Sequence, residues 1–481
     1  MPTADYRSHV AGFFDSEVPK HSLGLVYGRR RIGKSTLLEG LAHDRGGFVW
    51  EATRTESAIQ LTRLGEQLGS HLGVGRLALE NWEEAFRQLL ALGRDRSVPV
   101  VLDEFGHVLE ADPSVDSIVA AALGPAGQRS NAGRSRLVLC GSAIAMMSAL
   151  TAGEAPLRGR AGMELVMQPH DFRAAAEWLG SASAPDLAAG VYAVIGGVIG
   201  YATDMVDFDL PDSRADFTRW VAARVLSPAA TLHHEATTLL AEDPTLAGAS
   251  PVLHHGILGA IANGAVSAGK IAKKLGRSVS NLDPALRRLI AAGFVIRHTD
   301  PIRAQRPTYT LADPFLQFHY AVLEPHGPLL RERDPHEAWE ERLSAVFGSR
   351  VRGPVFEEQA RSWVRRYADP AVLGGFADHV GPSTAVVDGV ERQLDVVVAA
   401  DGAGALPSER SVLALGEAKA GETVGTGRLT ELERARAALG GRAAHARLLL
   451  FAPAFTDELR AAAGRRADVE LVDLARLYQG D

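Results

Sequence analysis

Along the first third of the chain, short unbroken apolar runs alternate with stretches of helical spacing. The runs are Leu23 to Tyr27, Val98 to Leu102 and Leu137 to Cys140, and Trp82 to Leu92 is one of the helical stretches between them. Apolar runs without alternation suit strands buried on both faces, and intervening helices make the sheet parallel and helix-covered. Residues 1–180 therefore read as one α/β domain. From Pro185 to about Ala247 the spacing turns helical, with a break at Gly196-Gly197, so residues 181–250 read as a helical lid. Residues 251–330 change again: helical spacing over Ile257 to Ala262, Ser267 to Leu275 and Ser280 to Ala292 is followed by Phe294 to Ile296 and Thr308 to Thr310 as two strands. Three short helices and a hairpin predict a winged helix-turn-helix, its wing being the loop Asp300 to Pro307. After a charged stretch, Phe356, Ala360, Trp363 and Val364 recur at helical spacing, and apolar runs at 394–399, 411–415 and 447–452 predict a second sheet within residues 340–481. The fold class is α/β.

Composition sharpens this picture in three places. At roughly 150 residues per domain, 481 residues require several domains, and 46% hydrophobic with 23% charged residues supplies their cores and excludes a disordered chain. The net charge of -7 means that any nucleic-acid surface must be a local basic patch. One such patch exists: residues 265–310 hold nine basic and two acidic side chains. Only six of the 51 basic residues are Lys, so a Lys inside a motif marks a place where a compact ammonium is needed in preference to a guanidinium fork. Lys34 and Lys419 are such residues. The lone Cys140 can form no intramolecular disulfide, and no zinc-type Cys/His spacing, export signal or membrane span is visible, which makes a reducing cytoplasm the simplest compartment.

Gly28-Arg29-Arg30-Arg31-Ile32-Gly33-Lys34-Ser35-Thr36 fits G-x-x-x-x-G-K-S in the context that pattern needs, after an apolar strand and opening a helix. The glycines let backbone N–H groups approach phosphates, Lys34 reaches the β/γ-phosphates of ATP, and the Ser35 hydroxyl ligates Mg2+. Asp103 and Glu104 follow the run Val98 to Leu102, at the end of a strand where the phosphate loop also lies. Asp103 is expected to hold the Mg2+ and Glu104 to orient or deprotonate the attacking water.

Tyr27 to Ser35, Leu102-Asp103-Glu104-Phe105 and Cys140-Gly141-Ser142 together resemble the archaeal-type ATPases related to the AAA+ and STAND groups. The resemblance implies that Ser142 senses the γ-phosphate and that Arg160, with Arg158 as a neighbouring candidate, is an arginine finger. A finger working across a subunit boundary implies a homo-oligomer. Within Gly196 to Tyr201 an Ile stands where that family usually has Pro. Asp313 to Tyr320 resembles the segment that closes the winged helix in the same family.

In the basic patch, Ser280, Asn281 and Arg287 on the third helix are candidate groove readers and Arg303 and Arg306 candidate wing contacts to DNA. A protein-docking or hinge role for the same module stays open. In the last domain Asp395 lies in one predicted strand, and Glu417 and Lys419 lie at the end of the next, on one face by strand alternation. Carboxylates on neighbouring strands beside an ammonium can hold Mg2+, with Asp395 and Glu417 as ligands, and act on a phosphodiester; Glu357 on the preceding helix could complete the shell or orient a ligand. Glu357, Asp395, Glu417 and Lys419 resemble the PD-(D/E)XK nuclease arrangement, and the segment from about residue 340 resembles the domain of unknown function that closes many of these ATPases. An active DNA nuclease and a catalytically silent copy that only binds DNA or a partner are both open. The histidine pairs 233–234 and 254–255 are not expected to bind metal, because neighbours on a helix point apart.

Overall fold

The computed structural model describes residues 3–16, 22–124, 134–246, 250–304, 307–401 and 406–480. The chain divides into two compact units, the first made of Met1–Pro169 with the segments Val198–Gly200 and Glu242–Ala247, the second of the remainder.

The first unit is a five-stranded parallel sheet covered by helices. Its strands are β1 (Leu23–Tyr27), β2 (Phe48–Glu51), β3 (Val98–Asp103), β4 (Ser135–Gly141) and β5 (Ala161–Val166), in the order β2-β3-β4-β1-β5. Every residue of β1, β3 and β4 is buried, which is why these three are plain apolar runs in the sequence. β2 and β5 are the sheet's edges and alternate between buried and accessible positions, so their apolar signal is diluted. The helix Trp82–Ala91 starts where Asn81 accepts the Glu84 N–H at 2.9 Å, and the Trp82 indole donates to Ser57 Oγ at 2.6 Å while its ring joins the core with Trp50, Phe86 and Leu89.

The second unit begins with helices Phe172–Trp178 and Pro185–Ile195. Three further helices, Pro251–Ala262, Ala268–Leu275 and Val279–Ala291, lead into an antiparallel hairpin of β6 (Val295–His298) and β7 (Thr308–Leu311). The charged stretch Arg331 to Arg342 lies within a series of short helical segments that ends in the helix Gly353–Arg366. The strands that follow are β8 (His379–Val387), β9 (Val390–Ala400), β10 (Ser411–Ala418), β11 (Thr423–Val424), β12 (Arg447–Phe451), β13 (Ala454–Phe455) and β14 (Val469–Val472). Five of them form a mixed sheet in the order β14-β12-β10-β9-β8, and β11 pairs separately with β13. β8, β9 and β10 run antiparallel in turn, and β10, β12 and β14 run parallel, joined by the helices Thr426–Ala438 and Asp457–Ala463. Phe356, Ala360, Trp363 and Val364 cover one face against Val396, Val398 and Phe451, whereas Val397, Ala399, Leu415 and Leu450 share the other face with Leu429 and Leu432.

Two buried histidines tie this unit's stability to pH. Burial lowers the pKa of His298, bonded to Thr310 Oγ1 at 2.7 Å, to about 4, and that of His319, packed on Tyr320 and Phe315, to about 3. The unfolded chain protonates them near pH 6.5, before the folded protein does. The stability is therefore full above about pH 6.5 and is lost as pH falls towards 4 and 3, at about 1.4 kcal/mol per pH unit for each residue. Urea unfolding at pH 7 and pH 5 should show this fall, and His319→Gln should shrink it. An unchanged midpoint difference in that variant would contradict the assignment.

Candidate nucleotide and carboxylate sites

The strand order brings the first site together. β1 has β4 on one side and β5 on the other, while β2 lies three strands away, so the chain reverses its direction of advance across the sheet at β1. Crevices at such switch points, beyond the carboxyl ends of parallel strands, are where ligands bind in open α/β sheets. The loop Gly28–Gly33 leaves β1 there and enters the helix Lys34–His43. Its backbone is in the left-handed half of conformational space at Gly28 (φ 155°), Arg31 (φ 65°) and Gly33 (φ 89°). A Cβ at Gly28 would lie 2.3 Å from the Met167 carbonyl oxygen, so glycine is obligatory at this position.

Lys34 is 5% exposed, and its ammonium donates to the carbonyls of Gly28 and Arg29, each at 2.9 Å. Burial pushes its pKa down, opposed by the acidic groups beside it, Glu104 and Asp103 among them. Ser35 and Thr36, in the first turn of the helix, are exposed, while Ile32 in the loop is buried. Arg29 is buried and lies near Asp243, Arg30 is ion-paired with Glu242, and the Arg31 carbonyl accepts the Gly200 N–H at 2.8 Å. Ile199 packs beside Gly33, where a Cβ would meet its Cδ1 at 3.4 Å. The arginines of the loop are thus held by the segments Val198–Gly200 and Glu242–Ala247, which complete the first unit.

Asp103 ends β3 with 5% exposure, its Oδ1 accepting the Glu104 N–H at 2.8 Å. Glu104 itself has φ 48°, an unfavourable conformation for a side chain of this type and one that recurs at functional sites. Its Oε2 accepts the Ser142 hydroxyl at 2.9 Å, and the Phe105 N–H donates to the Cys140 carbonyl at 2.8 Å, so the ends of β3 and β4 are locked together. Cys140 is fully buried and burial pushes its thiol pKa up, which makes it a core residue. Glu51, at the end of β2, is paired in register with Asp103, and its pKa is raised by burial and then by Asp103 and Glu104. Glu51 belongs to no sequence motif; its one signal is an acid closing an apolar segment, Phe48 to Trp50. Arg160 and Arg158 are exposed and donate to carbonyls of their own turn, those of Pro156 (3.1 Å) and Gly153 (2.7 Å); among the described residues neither forms an ion pair. The donor set fits Mg2+ with a phosphate chain: the Ser35 hydroxyl at the helix start, buried Asp103 and a glycine loop at the switch point.

In the second unit, Asp395 is 4% exposed and bound on both oxygens: Oδ1 accepts Gln393 Nε2 at 3.2 Å, and Oδ2 accepts the Ala418 N–H at 3.0 Å. The Lys419 ammonium lies 2.5 Å from Glu417 Oε1 and 3.6 Å from Asp395 Oδ2, so it occupies the space between the two carboxylates. Burial lowers the Lys419 pKa, but Asp395 and Glu417 more than offset this and the net shift is upward; the Glu417 pKa is raised by burial and by Asp395. Glu357 is pushed up to about 8, first by burial and then by Asp395. Arg361, 2% exposed, donates to Glu358 Oε2 and to the Asp395 carbonyl, both at 2.8 Å, and lies 3.9 Å from Glu357. Among the described residues no three His, Cys, Asp or Glu side chains converge as a group that could hold a metal ion. Asp395 and Glu417 nevertheless accommodate a cation between them, with Lys419 as its stand-in, and Mg2+ commonly takes one or two carboxylates with water and phosphate. Gln393 and Arg361 join this site without belonging to a motif. An amide two residues before Asp395 on a strand, and an arginine beside Ala360 on a buried helix face, are their signals.

On the three-helix module, Lys273, Lys274, Arg277, Ser280 and Asn281 lie on accessible positions. Arg287 is exposed but paired with Asp283 at 2.5 Å, and Arg303 is paired with Glu391 of β9 at 3.7 Å and so does not extend from the hairpin into solvent. Arg306 lies outside the described residues. Among the described residues no helix is long and apolar enough to cross a membrane.

No family model matches the chain. It is 24% identical over 315 residues to the uncharacterized protein MJECL04 of Methanocaldococcus jannaschii, covering 64% of this chain and 65% of that protein's length. Among solved structures, the Walker-type ATPase PABY2304 of Pyrococcus abyssi aligns with a TM-score of 0.47 and 19% identity over 66% of this chain and 95% of its own. The ORC2 protein of Aeropyrum pernix, in ADPNP and ADP complexes, aligns with a TM-score of 0.44 and 16% identity over 69% and 95%. With both scores below 0.5, the architecture rests on this chain's own parallel sheet and loop geometry.

Proposed function

We propose that this protein is a Mg2+-dependent ATPase whose nucleotide state governs a DNA-binding winged helix and a nuclease-like domain. The observation that carries the reading is the phosphate loop at the switch point of the parallel sheet, beside Asp103, Glu104 and Ser142. The loop N–H groups and the helix N-terminus cradle the phosphates of ATP, and Lys34 exchanges its two loop carbonyls for β/γ oxygens. Ser35 and Asp103 would hold Mg2+, which would neutralise charge on the phosphates. Glu104 orients the attacking water and takes its proton, and Ser142, the phosphate sensor, is tied to that base by its hydroxyl, which donates to Glu104. Arg160, exposed and among the described residues without an ion pair, is supplied to a neighbouring subunit's site. Titration with ATP in the presence of Mg2+ tests the core of this reading.

The basic module contacts DNA phosphates through Lys273, Lys274 and Arg277. Replacing all three by Ala should weaken DNA binding and flatten its salt dependence by about 0.9 in log–log slope for each phosphate no longer neutralised. An unchanged slope in a filter-binding titration would move the interface elsewhere.

For the C-terminal carboxylates the favoured role is phosphodiester cleavage, in which Lys419 stabilises charge developing on the phosphate and Asp395, fixed by Gln393 and the Ala418 N–H, keeps its position in the site. Mg2+ between Asp395 and Glu417 would supply a more acidic water. A second reading, an ATP-switched DNA-binding or signalling regulator with a silent nuclease-like domain, is favoured by one observation. Lys419 already neutralises both carboxylates, as a structural ion pair would.

A further inference from the structure

The second unit contains a cavity of about 470 Å³ between the first turn of the helix Ala268–Leu275, the strand β7, the helix Gly353–Arg366 and the strands β8 and β9. Its volume lies within the ~300–1,000 Å³ typical of small-ligand sites. Val266, Pro307 and Pro382 give it apolar walls. The first wall is fixed in place, because the Val266 carbonyl accepts the Tyr309 N–H at 2.8 Å.

Several polar groups that reach the cavity are already used. Ser383 donates to Asp300 at 2.8 Å, Thr384 donates to Glu391 at 2.9 Å, and Arg361 is committed to Glu358 and the Asp395 carbonyl. What remains is an edge rich in acceptors, made of the Glu357 carboxyl and the Gln393 amide oxygen, whose Nε2 is spent on Asp395. Lys270, exposed, stands at the rim, one helical turn before Lys273 and Lys274. Asp300 and Glu391 in the lining repel a phosphate, whereas the basic rim attracts one. A ligand with a flat apolar body, amino groups on one edge and a phosphate at the other end matches this division.

We propose that the cavity receives an unpaired nucleobase bearing an exocyclic amino group, carried on a DNA strand whose phosphate rests at Lys270. This rests on the DNA reading of the basic module given above. Carboxyl and side-chain amide oxygens accept from the amino groups of cytosine and adenine, and thymine offers none at the equivalent position. Apolar walls around an extruded base are the usual arrangement where a protein takes a base out of its stack. Gln393 links the two sites, because the residue that reads the base also holds Asp395.

The test uses the full-length protein without nucleotide and measures anisotropy with two 15-mers, oligo(dT) and the same strand with one central dC. The dC strand should bind about tenfold more tightly, the size of one good base contact. Gly269→Trp fills the cavity from a position where a Cβ meets no atom within 4 Å. That variant should abolish the preference and leave oligo(dT) affinity unchanged; Thr308→Trp, from the opposite wall, should do the same. Equal affinity for both strands in the parental protein, or a preference that survives both fillings, would overturn the proposal. Displacement by free dCMP at the concentration at which the strand itself competes would overturn the strand-borne assignment in favour of a free nucleotide. Absence of binding to either strand would remove the DNA reading, and this proposal with it.

Discussion

Lys34→Ala should reduce ATP turnover on the order of 100-fold or more and abolish nucleotide retention, whereas Glu104→Gln should slow turnover by a similar factor and keep ATP bound. The difference follows from where the two side chains stand. Lys34 is buried beneath the loop, and its ammonium donates to the carbonyls of Gly28 and Arg29. Truncation frees two acceptors and removes the cation that phosphate oxygens require, so binding energy and transition-state energy are lost together. Glu104 instead lies at the end of β3 in a strained backbone conformation, bonded to Ser142. Gln preserves the shape and the bond to Ser142 while losing the proton acceptor, which costs the chemical step about 10²–10⁴-fold. Phosphate release and filter-bound nucleotide, measured on both variants, check the pair. Parental turnover in Lys34→Ala would refute the site.

Lys419→Ala and Asp395→Asn should each abolish cleavage of plasmid DNA in Mg2+ or Mn2+, a loss of about 100-fold or more, with ATP turnover little changed. Lys419 is the cation held between Asp395 and Glu417, and Asp395 is fixed by hydrogen bonds on both oxygens, so each substitution dismantles the same small unit. The charges that remain differ. Without Lys419 two carboxylates face each other unneutralised; Asp395→Asn removes one charge and leaves Lys419 paired with Glu417. Agreement of the two variants would therefore come from lost chemistry and not from a common folding defect, and far-ultraviolet circular dichroism checks that both are folded. Cleavage that persists in both variants, or parental protein that cuts no DNA under any of these conditions, would favour the silent copy.

The candidate nucleotide site is legible because each of its parts is local in sequence: a glycine loop between strand and helix, and an acidic pair after a buried run. What stayed hidden depended on partners far away in the chain. Glu51 matters only because β2 lies beside β3, and β2 is an edge strand too short and too alternating to announce itself. The family resemblance points to Ser142 as a candidate γ-phosphate sensor, but its bond to Glu104 depends on β3 and β4 being neighbours. Arg303 looked like a wing contact in the charge count, yet Glu391, 88 residues later, draws it towards β9. In the C-terminal site, period-two alternation placed Glu417 and Lys419 together, and their contact follows from that alternation. Gln393 obeys the same alternation relative to Asp395, but an uncharged amide stands out in no charge pattern. The cavity could not be read from sequence, because its walls come from elements spread between Val266 and Gln393.

The most direct measurement is a calorimetric titration of the purified full-length protein with ATP, with and without Mg2+, in parallel with Lys34→Ala. One site per chain, tightened by Mg2+ and absent in Lys34→Ala, is the result expected from the loop, Ser35 and Asp103. Saturable binding that is indifferent both to Mg2+ and to Lys34, or no binding under any of these conditions, would contradict it.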